Sequence, residues 1–176
     1  MNILILNGSP RKRGNTAAMI AAFTRGALSA GHTVERADVC SMNIHGCHAC
    51  EYCHRQEERK CVQKDDMDRI YDLLERSQML VLASPIYYHN ISGQLKCAID
   101  RFYVTSDQKK IGNVSKVRML LSSGDKDMYD GAIFSYRGDF LDYLSLEDMG
   151  VVTAFGEVEK QPELLEKIEK LGRSLK

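Results

Sequence analysis

Two groups of residues in this chain have the types and spacing to do chemistry. The first is Asn7-Gly8-Ser9-Pro10-Arg11-Lys12-Arg13-Gly14-Asn15-Thr16, which directly follows the apolar run Ile3 to Leu6. Glycine, serine, asparagine and threonine at the junction of a strand and a helix present backbone N–H groups and hydroxyls where the helix end is partially positive, which attracts phosphate. Arg11, Lys12 and Arg13 add charge at the same mouth. Pro10 stands where a dinucleotide fingerprint needs its second glycine, and Asn15 replaces the lysine of a nucleoside-triphosphate loop. The spacing that remains suits one phosphate monoester; an ordinary polar turn is the plain alternative.

The second group is Cys47, Cys50, Cys53 and Cys61, in the pattern C-x2-C-x2-C-x7-C. Three thiolates at this spacing can wrap one face of a 4Fe–4S cluster, leaving the fourth iron to a more distant cysteine. The same thiolates, with His45, His48 and His54 between them, could bind zinc, although structural zinc sites usually gather two separated ligand pairs. Two overlapping C-x-x-C units could also act as redox thiols. Cys40 and Cys97 read as small buried residues.

The elements that must position these groups alternate strand and helix. Strands are expected at Ile3 to Leu6, His32 to Ala37, Met79 to Ala83, Val117 to Leu121 and Val151 to Phe155. Helices are expected from Thr16 to about Ala30, after Asp65-Asp66, after Ser92-Gly93, from Tyr129 to Leu146, and from Pro162 to Leu171. This order predicts an α/β fold with a doubly wound, five-stranded parallel sheet of order 2-1-3-4-5. Its ligand crevice lies at the carboxyl ends of strands one and three. The turn Ser84-Pro85-Ile86-Tyr87-Tyr88 opens there, with two tyrosines placed to stand beside a planar ligand or simply to pack over the sheet. The turn from Ser122 through Ser123 and Gly124 to Asp125 flanks the same place.

Residues 1–176 are expected to form one domain, with a cysteine-rich insertion at about 40–64. The 24 basic and 24 acidic residues balance, so no global field favours nucleic acid or an anionic membrane. No apolar run approaches the roughly 20 residues of a membrane span. The N-terminal apolar stretch is too short for the core of a signal peptide. Six cysteines without an export signal suggest the cytoplasm.

The chain resembles the NADPH-dependent FMN reductase family of flavodoxin-like proteins. The resemblance rests on Asn7-Gly8-Ser9-Pro10-Arg11 with Gly14-Asn15-Thr16, on Lys64-Asp65-Asp66-Met67, on Ser84-Pro85-Ile86-Tyr87-Tyr88, and on Ser92-Gly93-Gln94-Leu95-Lys96 with Ile99-Asp100-Arg101. It implies FMN, with phosphate contacts from Ser9, Arg11, Asn15 and Thr16 and ring contacts from Pro85, Ile86, Tyr87 and Tyr88. It also implies an NAD(P)H co-substrate, a small-molecule acceptor or redox protein as partner, and a homo-oligomer. The cysteine spacing is similar to that of the iron–sulfur flavoprotein branch, which implies Cys47, Cys50, Cys53 and Cys61 as cluster ligands. The Cys47–Cys61 segment leaves the sheet after strand two, beside strand one, and is longer than a simple connection needs, so it is expected to lie over the flavin pocket. The cofactor performs the redox chemistry in such proteins, so no side-chain nucleophile or base is expected. A flavodoxin-type carrier and a redox- or zinc-sensing protein are the other readings. Carriers are usually strongly acidic, which zero net charge does not match.

Overall fold

The computed structural model describes residues 1–176. Five parallel strands, β1 (Asn2–Asn7), β2 (Thr33–Asp38), β3 (Met79–Pro85), β4 (Lys116–Ser123) and β5 (Glu147–Phe155), lie in the order β2-β1-β3-β4-β5. This is the flavodoxin-like arrangement expected. The inner strands are nearly continuous runs of apolar residues because both sheet faces are covered. Alternate side chains then divide between two cores. Leu4, Leu6, Leu80, Leu82 and Met119 face one layer, while Ile3, Ile5, Val81 and Leu120 face the other.

Helices α1 (Asn15–Ser29) and α5 (Pro162–Arg173) cover the second face. They cross so closely that a Cβ added at Gly26 would lie 1.9 Å from the Glu169 carbonyl oxygen, and one at Gly172 would lie 2.3 Å from that of Phe23. The first face is covered by α2 (Met67–Arg76), α3 (Gly93–Asp100) and α4 (Asp130–Tyr136). At the start of α2 it is Asp65, not Asp66, that caps: its carboxylate accepts the Met67 N–H at 3.1 Å. Ser92 caps α3, accepting the Leu95 N–H at 3.3 Å. A 3₁₀ segment, Arg101–Gln108, extends α3.

Two boundaries differ from the sequence reading by more than two residues. The helix expected from Tyr129 to Leu146 is α-helical only to Tyr136, and Arg137–Tyr143 forms wider π-type turns. Gly138, a poor helix former, sits where the ladder changes. Strand β5 starts four residues earlier than expected, at Glu147 in place of Val151. Glu147, Asp148 and Gly150 disfavour strands. They are held here by Lys116, which pairs with Glu147 at 2.5 Å, and by Asp148, which accepts the Tyr136 hydroxyl at 2.6 Å. No helix is long and apolar enough to cross a membrane.

Candidate functional site

The turns that leave β1, β3, β4 and β5 are joined side by side beyond the sheet. Gly8 N–H donates to the Ala83 carbonyl at 2.8 Å, Ile86 N–H to Ser122 at 2.7 Å, and Gly156 N–H to Ser123 at 3.2 Å. Between them lies an open cleft of about 270 Å³. It is lined by Ser9, Arg11, Asn15 and Thr16 from the first turn, Pro85, Ile86 and Tyr87 from the second, and Ser122, Ser123 and Gly124 from the third. Every residue expected at a cofactor site is therefore gathered here, except Tyr88.

The floor of the cleft is hydroxyl-rich. Thr16 Oγ1 and Ser122 Oγ are 2.8 Å apart and buried. Ser9 Oγ accepts the Arg11 N–H at 3.3 Å, which leaves its own hydroxyl proton free to donate. Gly14 starts α1 with no side-chain cap, and the first turn contains no acidic residue. The first-turn N–H groups therefore face the cleft's end without competing carboxylates. Gly8 serves packing: a Cβ there would lie 2.6 Å from Ser92 Oγ and 2.7 Å from Leu95 Cβ. Its absence lets α3 come up beneath the loop.

Asn15 has a second task that its sequence position did not reveal. Its Nδ2 donates to the Gly156 carbonyl at 2.5 Å, and its Oδ1 accepts the Val158 N–H at 3.0 Å. It thereby ties the start of α1 to the turn after β5. Only the fold brings these segments together, so no local signal could have shown it.

The second wall is stiff. Ser84 Oγ accepts the Ser92 N–H at 2.9 Å and donates to the Pro85 carbonyl at 2.7 Å. Tyr87 and Asn90 then exchange two backbone hydrogen bonds, at 2.8 and 3.1 Å, across Tyr88 and His89. Both central residues are left-handed, at φ 48° and 63°. Such turns favour Asn or Gly, and each non-glycine residue there costs on the order of 1 kcal/mol. The geometry carries the Tyr88 side chain fully into solvent and out of the cleft lining, which corrects its expected place at the ring.

The cysteine segment lies elsewhere, which corrects the expectation that it covers the cleft; none of its residues lines the cleft. It is docked on the 3₁₀ segment Arg101–Gln108. His54 stacks on Tyr103 with ring centroids 4.5 Å apart, and its Nε2 meets the Tyr103 carbonyl at 2.7 Å. Tyr103 donates to Glu51 at 2.8 Å, and Arg59 pairs with Asp107 at 2.5 Å. Within the segment Cys47 and Cys50 are exposed, Cys61 is half-buried and Cys53 is buried. Burial, with the neighbouring Cys61 and Cys47 thiols, pushes the Cys53 thiol up from its ordinary value. No three histidine, cysteine or acidic side chains are gathered as a metal site would require. The reason is local: Ala49 and Glu51 are both left-handed, at φ 51° and 58°, and the turn they make leaves Cys50 facing water. Cys40 and Cys97 are half-buried, not fully buried as expected.

A family model described as NADPH-dependent FMN reductase matches residues 1–153. The chain belongs to the NADPH-dependent FMN reductase family. Among curated members of similar sequence, an iron–sulfur flavoprotein of Archaeoglobus fulgidus is 43% identical over 94 residues, 53% of this chain and 42% of that protein. Another from Methanosarcina thermophila is 33% identical over 124 residues, 70% of this chain and 63% of that protein. The matches thus span only about half of these relatives' length. In fold, an NAD(P)H:quinone oxidoreductase from Methanothermobacter marburgensis is similar at a TM-score of 0.75 and 21% identity, over 100% of this chain and 96% of that one. The family's cofactor suits this cleft by the chemistry of its donors: helix-end amides, paired hydroxyls and an arginine at one end, and apolar Pro85 and Ile86 with Tyr87 along the wall.

Proposed function

We propose that this protein is an FMN-dependent NAD(P)H oxidoreductase. The observation that carries the reading is the hydroxyl- and amide-lined cleft at the carboxyl ends of β1, β3 and β4, in a chain of the FMN reductase family. Ser9, Arg11, Asn15 and Thr16 hold the phosphate, while Pro85, Ile86 and Tyr87 line the ring and Ser123 and Gly124 close the far side. FMN held there would supply the redox chemistry between NAD(P)H and an acceptor. The chain's own part is to bind and orient. The helix-end N–H groups and the Ser9 and Thr16 hydroxyls neutralise the phosphate. Pro85 and the Ser84–Ser92 bond fix the wall against which the ring rests. The open mouth leaves room for a nicotinamide and then a small acceptor in turn.

The finer reading is that Cys47, Cys50, Cys53 and Cys61 would hold a 4Fe–4S cluster, whose chemistry would be one-electron transfer to a redox partner. The donor set supports it, since four thiols within one loop match the ligand chemistry of such a cluster. Convergence of the four requires the Ala49–Glu51 turn to fold inward. A cytoplasmic location agrees with the loop of free thiols. A homo-oligomer agrees with the fully exposed Tyr88 beside the open cleft, where a partner subunit would cover both.

Anaerobic purification followed by absorption spectroscopy and NAD(P)H oxidation assays tests the reading. Bound FMN, bleached by NAD(P)H and reoxidised by a quinone or a redox protein, is the expected result. Colourless protein that takes up no FMN on titration would overturn it.

A further inference from the structure

The two large apolar side chains most open to water stand on abutting elements. Tyr88 is fully exposed and Phe134 is 81% exposed, whereas no other large apolar side chain exceeds 54%. Phe134 lies on α4, whose Ala132 and Tyr136 are buried on its opposite side. Gly131, in the first turn of α4, receives the turn that carries Tyr88: a Cβ there would lie 2.6 Å from the His89 carbonyl oxygen. Tyr87, next to Tyr88, is itself partly exposed and lines the cleft. An aromatic surface therefore runs from the cleft mouth across Tyr88 and onto α4. Apolar surface of this kind, gathered beside a cleft, marks an interaction face.

The charges on α4 indicate what covers it. Asp130 and Arg137 flank Phe134 on one side of the helix, because seven residues at 3.6 per turn return a side chain to within about 20° of its start, about 10 Å further along. Arg137 keeps helical backbone angles, at φ −64° and ψ −52°. Both charged side chains are exposed, and neither has an ion-pair partner within the chain. The face thus reads acid, aromatic, base, which is self-complementary. Laid antiparallel on its own copy about a two-fold axis beside Phe134, each Asp130 meets the other copy's Arg137 and the two Phe134 rings meet at the axis. A second copy of this chain supplies both ion pairs and the aromatic contact by symmetry alone.

We propose that this face of α4, together with Tyr88, is a two-fold interface between two copies of this chain, and that it sets each cleft mouth at the subunit boundary. The inference rests on the reading of the protein as a homo-oligomer and assigns that assembly a surface. It also gives a reason for the left-handed backbone of Tyr88 and His89, which holds the tyrosine out toward a second subunit. Substrates then reach each flavin site along the boundary between subunits.

The test is sedimentation velocity of the full chain, loaded with FMN, at micromolar concentration. Wild type is expected as a dimer or a larger even assembly. Asp130→Arg and Arg137→Asp each set like charges against one another twice across the axis, and each is expected to weaken association about tenfold or more. Mixed one to one, these two variants should associate again, since each supplies the charge that the other lacks. The double variant Asp130→Arg/Arg137→Asp should likewise recover the wild-type assembly. Phe134→Ala should weaken association without any change of charge. None of these residues lines the FMN cleft, so retained FMN reports retained fold. Variants that assemble as wild type does would overturn the inference and leave the homo-oligomer to another surface. Single variants that dissociate but recover neither on mixing nor in the double variant would overturn it as well. Wild-type protein that sediments as a monomer is a different failure: it removes the homo-oligomer reading itself, and the inference with it.

Discussion

Thr16 and Ser122 come from distant points in the chain, and their hydroxyls meet 2.8 Å apart at the floor of the cleft. If they receive the FMN phosphate, Thr16→Ala or Ser122→Ala should weaken FMN by about 1–2 kcal/mol each, the scale of a hydrogen bond to a charged group. Riboflavin, which has no phosphate, should be unaffected, and fluorescence titration of both flavins measures the difference. Asp65 makes a separate prediction. Burial raises its pKa, but the Arg101 guanidinium and the His45 and Met67 N–H groups outweigh this and hold the carboxyl below its ordinary 3.8. A carboxylate lowered in the folded state contributes stability that is complete above its unfolded value and lost as pH falls through the folded one. Urea unfolding should therefore show a loss of stability below about pH 4 that includes this residue. Asp65→Asn should be less stable at neutral pH and should lack that part of the acid dependence.

Among the elements, the crossing of α1 and α5 has least room for change. A Cβ at Gly26 meets backbone, not the flexible end of a side chain, so the helices must separate to admit it. Gly26→Ala gains about 1 kcal/mol of helix propensity, yet should destabilise by several kcal/mol through lost packing. A lower urea midpoint with an unchanged slope would record this. Strand order and helix positions were legible because each inner strand is an unbroken apolar run and each amphipathic helix keeps its period, as α2 does with Met67, Ile70 and Leu74. The early part of β5 was not legible, because its polar residues are held by partners on β4 and α4. Nor was the buried Arg118 in β4, whose guanidinium lies 5.9 Å from the Phe23 ring centre and whose Nε has no acceptor. Burial lowers its pKa.

For the whole molecule, the cleft and the cysteine loop share no lining residue. They should therefore fail independently. If the four thiols take up a cluster, Cys50→Ala should abolish iron uptake on anaerobic reconstitution while FMN still binds one to one; loss of both together would show that the loop is needed to hold the flavin cleft. The two termini are also joined. His32 bridges the Met1 ammonium at 3.1 Å and the Leu175 carbonyl at 3.2 Å.

By itself the sequence determined the α/β architecture, the sheet order and the gathering of Ser9, Arg11, Thr16, Pro85, Ile86, Tyr87, Ser123 and Gly124 at one crevice. These follow from local periodicity and from the rule that parallel crossovers place consecutive turns at one end of the sheet. Only the tertiary structure decided that Asn15 ties α1 to the turn after β5, that Tyr88 turns away from the cleft, and that the cysteine loop docks on Arg101–Gln108. Each depends on hydrogen bonds or stacking between segments far apart in the chain, such as His54 on Tyr103 and Asp65 on Arg101. Spacing along the chain contains the residue types for such contacts but not the distances between them.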